Sequence, residues 1–322
     1  MLLGLLVPPL AAETLYNGIE LPKPWPPRGR ELTRQPLATP PYLQSPPPTI
    51  PIDTGRQLLV DDFLVEQTDL RRTYHRPKYH PASPVIAPDR PWEDGRSGVF
   101  SDGVWFDPAD GLFKAWYWSK AGTCYATSRD GIRWQKPNLE VVPGTNIVVP
   151  DQAQFPRNSS TTWLDLFEPD PARRFKMFTV VIDRSPTGGG DKGNRKFIQF
   201  RISPDGVHWR EAGQSFNCSD RSTVFFNPFR KQWIFSLRES GKQRCAPLKA
   251  DQTAMKVNWS NASDLRAVAG KPVKLRFHLR QGSLYSFWTS PAAHGASGGY
   301  VGAGGPGFSG PTDTVGPAGN RL

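Results

Sequence analysis

The stretch Ser128-Arg129-Asp130-Gly131-Ile132-Arg133-Trp134 returns further along the chain as Ser203-Pro204-Asp205-Gly206-Val207-His208-Trp209. Each copy follows an aromatic run that reads as a strand. Asp-Gly is a favoured pair for a tight hairpin turn, because glycine takes a positive φ without steric cost. The Trp three residues past each Gly gives the returning strand a large apolar anchor. Recurrence at this distance predicts a chain built by duplicating one supersecondary unit.

Matching pieces lie upstream of each copy. Trp105-Phe106-Asp107-Pro108 precedes the run Leu112 to Trp118, and Thr162-Trp163-Leu164-Asp165 precedes the run Phe175 to Ile182. A third set begins at Thr223-Val224-Phe225-Phe226-Asn227-Pro228 and continues into Trp233 to Leu237. Trp105, Trp163 and Phe225 are thus equivalent positions. Each unit reads as strand, Pro-containing turn, strand, then a hairpin closed by Asp-Gly. That is a four-stranded antiparallel meander, the blade of a β-propeller. The expected fold is all-β: a partial β-propeller of three recognisable blades, followed by a β-sandwich-like hairpin remnant. A β-sandwich is the alternative, since short strands with regular turn signals suit both architectures.

Composition agrees with a loop-rich β protein. The 322 residues include 34 Pro and 30 Gly, which leave little room for long helices. No segment reaches the ~18 consecutive apolar residues of a spanning helix. Residues 1–12 read as an export signal, an apolar Leu2 to Leu10 run followed by Ala11-Ala12, which predicts a secreted or periplasmic protein. The run lacks a preceding Lys or Arg and carries Pro8-Pro9, so an ordinary apolar N-terminus is the competing reading. Residues 13–52 form a Pro-rich extended lead-in. Residues 53–247 carry the blades, with Arg56 to Glu66 expected as an outer strand closing the ring. Residues 248–322 form the remnant: Lys274 to Leu279, a turn at Gln281-Gly282-Ser283, a return through Leu284 to Trp288, and a mobile Gly-rich tail from Gly295.

Several function classes lose support here. Cys124, Cys218 and Cys245 are too few and too scattered for a disulfide scaffold or a zinc site. They leave either one disulfide with a spare thiol or three free thiols. His75 and His80 have no usual metal-ligand spacing. No metal and no cofactor is expected, with calcium on loop carboxylates left open. The net charge of +11 is spread over short clusters such as Arg71-Arg72 and Arg230-Lys231, with no nucleic-acid-binding motif. No nucleic-acid partner is expected. A solvated basic surface is the default reading, and an acidic polysaccharide partner is the sharper one. The sequence does not reveal the oligomeric state.

Arg56 to Leu64, His75-Arg76-Pro77, Pro91-Trp92-Glu93, Trp105-Phe106-Asp107-Pro108, Cys124 to Ser128 and Asp220-Arg221-Ser222-Thr223 together resemble bacterial secreted proteins related to glycoside hydrolase families 32 and 43. Ala269 to Phe277, the stretch through Trp288, and Gly304 to Phe308 resemble the end of the second module of those proteins. The resemblance implies a five-bladed propeller followed by a β-sandwich. Against that pattern, two blades and most of the sandwich are missing, so the chain is expected to be internally shortened.

The resemblance also implies where the chemistry lies. Glycoside hydrolysis needs one carboxylic acid and one carboxylate some 5–9 Å apart, and in such propellers they come from the starts of innermost strands. Here those starts lie near Asp102, Arg157-Asn158 and Asp220-Arg221. Asp102 is the expected base or nucleophile. Asp220, where the family shows Glu, and Glu239 are the candidate acids. Arg157-Asn158 falls where the family shows Arg-Asp, replacing an ionisable group with an amide. Arg157, Asn158, Arg221 and Trp105 are the candidate sugar contacts. Plain structural readings compete throughout. Asp102 could shape a turn, Asp220 could pair with Arg221, Glu239 could be a solvated surface residue, and Trp105, Trp116 and Trp163 could be blade core. Two functions follow: a glycoside hydrolase acting on an oligo- or polysaccharide, or a non-catalytic carbohydrate-binding or scaffold protein.

Overall fold

The computed structural model describes residues 13–21, 38–99, 102–184, 189–190, 193–228, 231–237, 265–277 and 284–320. Two compact units are present, one drawn from residues 1–73 and 243–299, the other from 74–242 and 300–322. The second carries the repeated sheets, and all of them are antiparallel.

The first blade runs β1 (Val104–Asp107), β2 (Leu112–Ser119) and β3 (Gly122–Ser128). Its fourth strand is split into β4 (Trp134–Gln135) and β5 (Ile147–Pro150), both paired to β3. The second blade is a meander of β6 (Arg157–Leu164), β7 (Phe175–Asp183), β8 (Gly193–Ser203) and β9 (Arg210–Cys218). β10 (Thr223–Asn227) and β11 (Gln232–Ser236) open the third blade. The strand registers bear out the repeat: Trp105 sits opposite Lys114, Trp163 opposite Lys176, and Phe225 opposite Ile234.

Both copies of the repeated phrase fold identically, each between the third and fourth strands of its blade. Ser128 Oγ accepts from Gly131 N at 2.9 Å, and Ser203 Oγ accepts from Gly206 N at 2.8 Å. Asp130 Oδ1 takes the N–H groups of Ile132 and Arg133 at 2.9 and 2.7 Å, and Asp205 Oδ1 those of Val207 and His208 at 2.8 and 2.9 Å. The Trp indole closes each turn onto its glycine carbonyl, Trp134 at 2.9 Å and Trp209 at 3.0 Å. Gly131 and Gly206 have φ of 70° and 82°, the left-handed region that the Asp-Gly pair foretells. Its backbone donors hold the Asp130 carboxyl down at about 2.

The blades stack face to face through aromatic layers. Between the first and second lie Trp105, Trp116, Tyr125, Leu164, Phe175 and Met177, with Trp209 packed against them. Between the second and third lie Val180, Ile198 and Val224, with Phe178, Phe200 and Trp233. Among the described residues no blade precedes the first, yet its outer face is covered. Ile86, Trp92 and Val99 pack over Tyr117, Cys124 and Ala126 together with Trp134. Under this cover Glu93 is fully buried, accepting from Tyr117 Oη at 2.7 Å and Lys136 Nζ at 2.7 Å. Burial pushes this carboxyl up, but Lys136 and Tyr117 bring it below the usual carboxylate range.

The Gly-rich end departs from the expected mobile tail. Phe106 N donates to Ala303 O at 2.9 Å, the Tyr300 ring stacks on Phe167 at 6.4 Å, and buried Asp313 takes the N–H groups of Val315 and Gly316. The free edge of β1 presents a backbone donor that needs an acceptor. Gly304, at φ 77°, lets the chain approach so closely that a Cβ there would lie 3.1 Å from Phe106 O. In the other unit, Gln57–Leu58 pairs with Ser286–Phe287, and Phe277 packs on Phe287 with ring centroids 5.2 Å apart. Its partner is this C-terminal segment, not a blade strand. The turn expected at Gln281 to Ser283 lies outside the described residues, as do residues 1–12. Cys124 and Cys218 are free thiols, and Cys245 lies outside the described residues. No helix among the described residues is long and apolar enough to cross a membrane.

Candidate functional site

The first strands of the three blades lie side by side, and their starts are linked. Trp105 Nε1 donates to Thr162 O at 2.8 Å, and Thr162 N donates to Asp102 O at 2.5 Å, tying β1 to β6. Gly103 makes this approach feasible: with φ 113°, a Cβ there would meet Thr162 O at 2.8 Å. Asp102 N donates to Val99 O at 2.8 Å.

Its side chain does something else. The Asp102 carboxylate is fully buried, and Arg157 Nη2 reaches both of its oxygens at 2.5 Å. Arg157 Nη1 donates to Thr123 Oγ1 at 2.7 Å, and Arg157 N donates to Asp151 Oδ1 at 2.8 Å. Asn158, the next residue, accepts a long 3.4 Å bond at its Oδ1 from Arg221 N. Arg221 holds a left-handed φ of 57°, unusual for a residue with a Cβ. Asp220 precedes it, half-buried, with Ser219 Oγ donating to its Oδ1 at 3.4 Å. Asp102, Arg157, Asn158 and Asp220-Arg221 therefore form one chain of neighbours across three blades. Trp105 lies beneath them, buried, its ring 4.5 Å from that of Trp163. Glu239 lies outside the described residues.

Burial pushes the Asp102 carboxyl up to about 6, outweighing the Arg157 guanidinium beside it. A carboxyl whose folded pKa exceeds its unfolded value favours the folded state most at low pH, and that contribution fades as pH rises through about 6. Relative to Asp102→Asn, the parent chain is therefore expected to lose on the order of 3 kcal/mol between pH 4 and 7. Urea midpoints of both proteins across that range measure this. A stability difference that stays constant with pH would mean the carboxylate is ionised throughout.

Thr123, Thr162 and Asp151, which position Arg157 and Asp102, carried no signal as site residues, because they act through registers between blades. Among the described residues no group of three or more His, Cys, Asp or Glu side chains could hold a metal ion.

Neither a protein family nor a curated protein sequence matches this chain. One solved structure that matches is a fructofuranosidase variant from Schwanniomyces occidentalis, complexed with fructosylnystose, at 11% identity and a TM-score of 0.24. That match covers 47% of this chain and 41% of the enzyme chain, so this chain spans less than half of the enzyme's length.

Proposed function

We propose that the chain is a glycoside hydrolase-like protein directed at an oligo- or polysaccharide, with Asp102 and Asp220 as its paired carboxylates. Arg157, Asn158 and Arg221 would hold the sugar. The observation that carries this reading is the Asp102–Arg157 ion pair, which joins the inner-strand start of one blade to that of the next. A carboxyl lifted to about 6 can keep or yield a proton near neutral pH, as acid–base catalysis of glycoside cleavage requires. Asp220, in its half-buried setting at the third strand start, supplies the second carboxylate.

Hydrolysis of a panel of aryl glycosides tests this. Asp102→Asn and Asp220→Asn are each expected to lower turnover by about 10²–10⁴-fold while leaving the near-UV dichroism of the aromatic core unchanged. Turnover that survives both substitutions would overturn the assignment.

A second reading, a carbohydrate-binding protein without turnover, is favoured by two specific features. Asn158 cannot ionise, and both Asp102 oxygens are engaged by Arg157 in a site closed to solvent. Saturable glycan binding with no hydrolysis by the parent chain would select it.

A further inference from the structure

Each of the first two blades presents one face to the blade that follows, anchored at the same register position. Trp105 and Lys114 sit opposite each other and face the second blade. The Trp105 ring lies 4.5 Å from that of Trp163, and Lys114 Nζ lies 5.1 Å from the Phe175 ring centre. Trp163 and Lys176 face the third blade in the same way, with Trp163 5.8 Å and Lys176 Nζ 5.6 Å from the Trp233 ring. The third blade repeats the position as Phe225 opposite Ile234. Here the aromatic layer stops. Trp105 is 7% exposed, whereas Phe225 is 41% exposed and makes no ring contact with a described residue.

Side chains alternate along a strand, so Thr223, Phe225 and Asn227 share this face with their partners Ser236, Ile234 and Gln232. None of the six is charged, although the chain carries a net charge of +11. The first two blades hold Lys114 with Asp107 and Lys176 with Asp165 at the matching places. A lysine suits a face whose neighbour is a different surface offering an aromatic ring. Across a two-fold axis a face meets its own copy, and a lysine there would be set against its symmetry mate. Ile234 and Asn227 remove that conflict. The other end of the described stack is closed, because Ile86, Trp92 and Val99 cover the first blade. One open face beside one covered face gives a closed pair, not a filament.

We propose that the Phe225–Ile234 face is a dimer interface, joining the third blades of two copies of this chain across a two-fold axis. The proposal goes beyond the hydrolase reading and does not depend on turnover.

Sedimentation velocity of the full chain over a wide range of concentrations tests this. A reversible monomer–dimer equilibrium is expected, with nothing larger than the dimer. Ile234→Lys restores the residue that the first two blades carry at this position, so a blade accepts it. It is expected to weaken dimerisation by roughly tenfold or more, because it sets two like charges into one apolar contact. Phe225→Ser, at an exposed side chain, is expected to weaken it by a similar factor through loss of the aromatic anchor. That variant decides the matter should Ile234→Lys fail to fold. A chain that stays monomeric at every concentration, an assembly larger than a dimer, or dimerisation unchanged in the variants overturns the interface. Because association is read without any sugar or glycosidase assay, failure of the hydrolase reading leaves this test intact.

Discussion

Asp107→Ala is expected to lower the unfolding free energy of the blade unit by about 3–5 kcal/mol, the cost of stranding buried charge. Asp107 closes β1 and is fully buried. It accepts from Lys114 Nζ at 2.6 Å and from Arg174 Nη2 at 2.7 Å, so one truncation strips a carboxylate from two cations. Lys114 is itself only 6% exposed at its side chain, and the carboxylate left to it is the more exposed Asp110 at 2.8 Å. The second blade repeats the arrangement, with Lys176 Nζ held by Asp165 Oδ2 at 2.8 Å. In the third blade both charges are gone: Asn227 stands where Asp107 and Asp165 stand, and Ile234 where Lys114 and Lys176 stand.

That comparison supplies the control. Asp107→Asn combined with Lys114→Ile recreates the third blade's pair in the first, and is expected to recover more than half of the loss. Arg174, 23% exposed, can then turn to water. Urea denaturation followed by Trp fluorescence measures both proteins. If the double variant is no more stable than Asp107→Ala, the ion pair is not what holds this position.

Gly206→Ala is expected to cost roughly 2–5 kcal/mol, against about 1–2 kcal/mol for Gly131→Ala. Both glycines sit in the same turn with nearly the same φ, so the penalty for a left-handed residue with a Cβ is common to both. Their surroundings differ. A Cβ on Gly206 would lie 2.5 Å from Trp116 Cζ2, while one on Gly131 meets nothing nearer than Phe113 at 4.0 Å. Trp116 cannot yield. It is fully buried between two blades, and its own Nε1 donates to Gly206 O at 2.7 Å. Equal melting shifts for the two variants would show that the turn alone, and not the blade interface, sets the cost.

The blade architecture was legible because it rests on local chemistry repeated along the chain. Ser, Asp, Gly and Trp at fixed offsets bond one another and the backbone of their own turn, so the turn can be read without knowing its neighbours. The equivalence of Trp105, Trp163 and Phe225 follows from the same spacing. The ion pairs were half legible. A Trp-x-Asp followed by a strand with Lys near its start occurs twice, but nothing local says that both charges are buried. The Gly-rich end misled, since its composition reads as a mobile tail, whereas an unpaired edge at Phe106 and close glycine contacts hold it in place.

Sequence alone determined the all-β class, the blade repeat and the turn that closes each blade, because those depend on residues within a few positions of one another. Only the tertiary structure decided that Asp102 is sealed from water and bound by Arg157, and that one glycine of the repeated turn presses on Trp116 while the other stands clear. It also decided that Trp105 is buried against the following blade while Phe225, its equivalent, stays exposed. Burial and charge pairing between blades depend on how separate sheets stack, and residues far apart along the chain carry no local trace of that stacking.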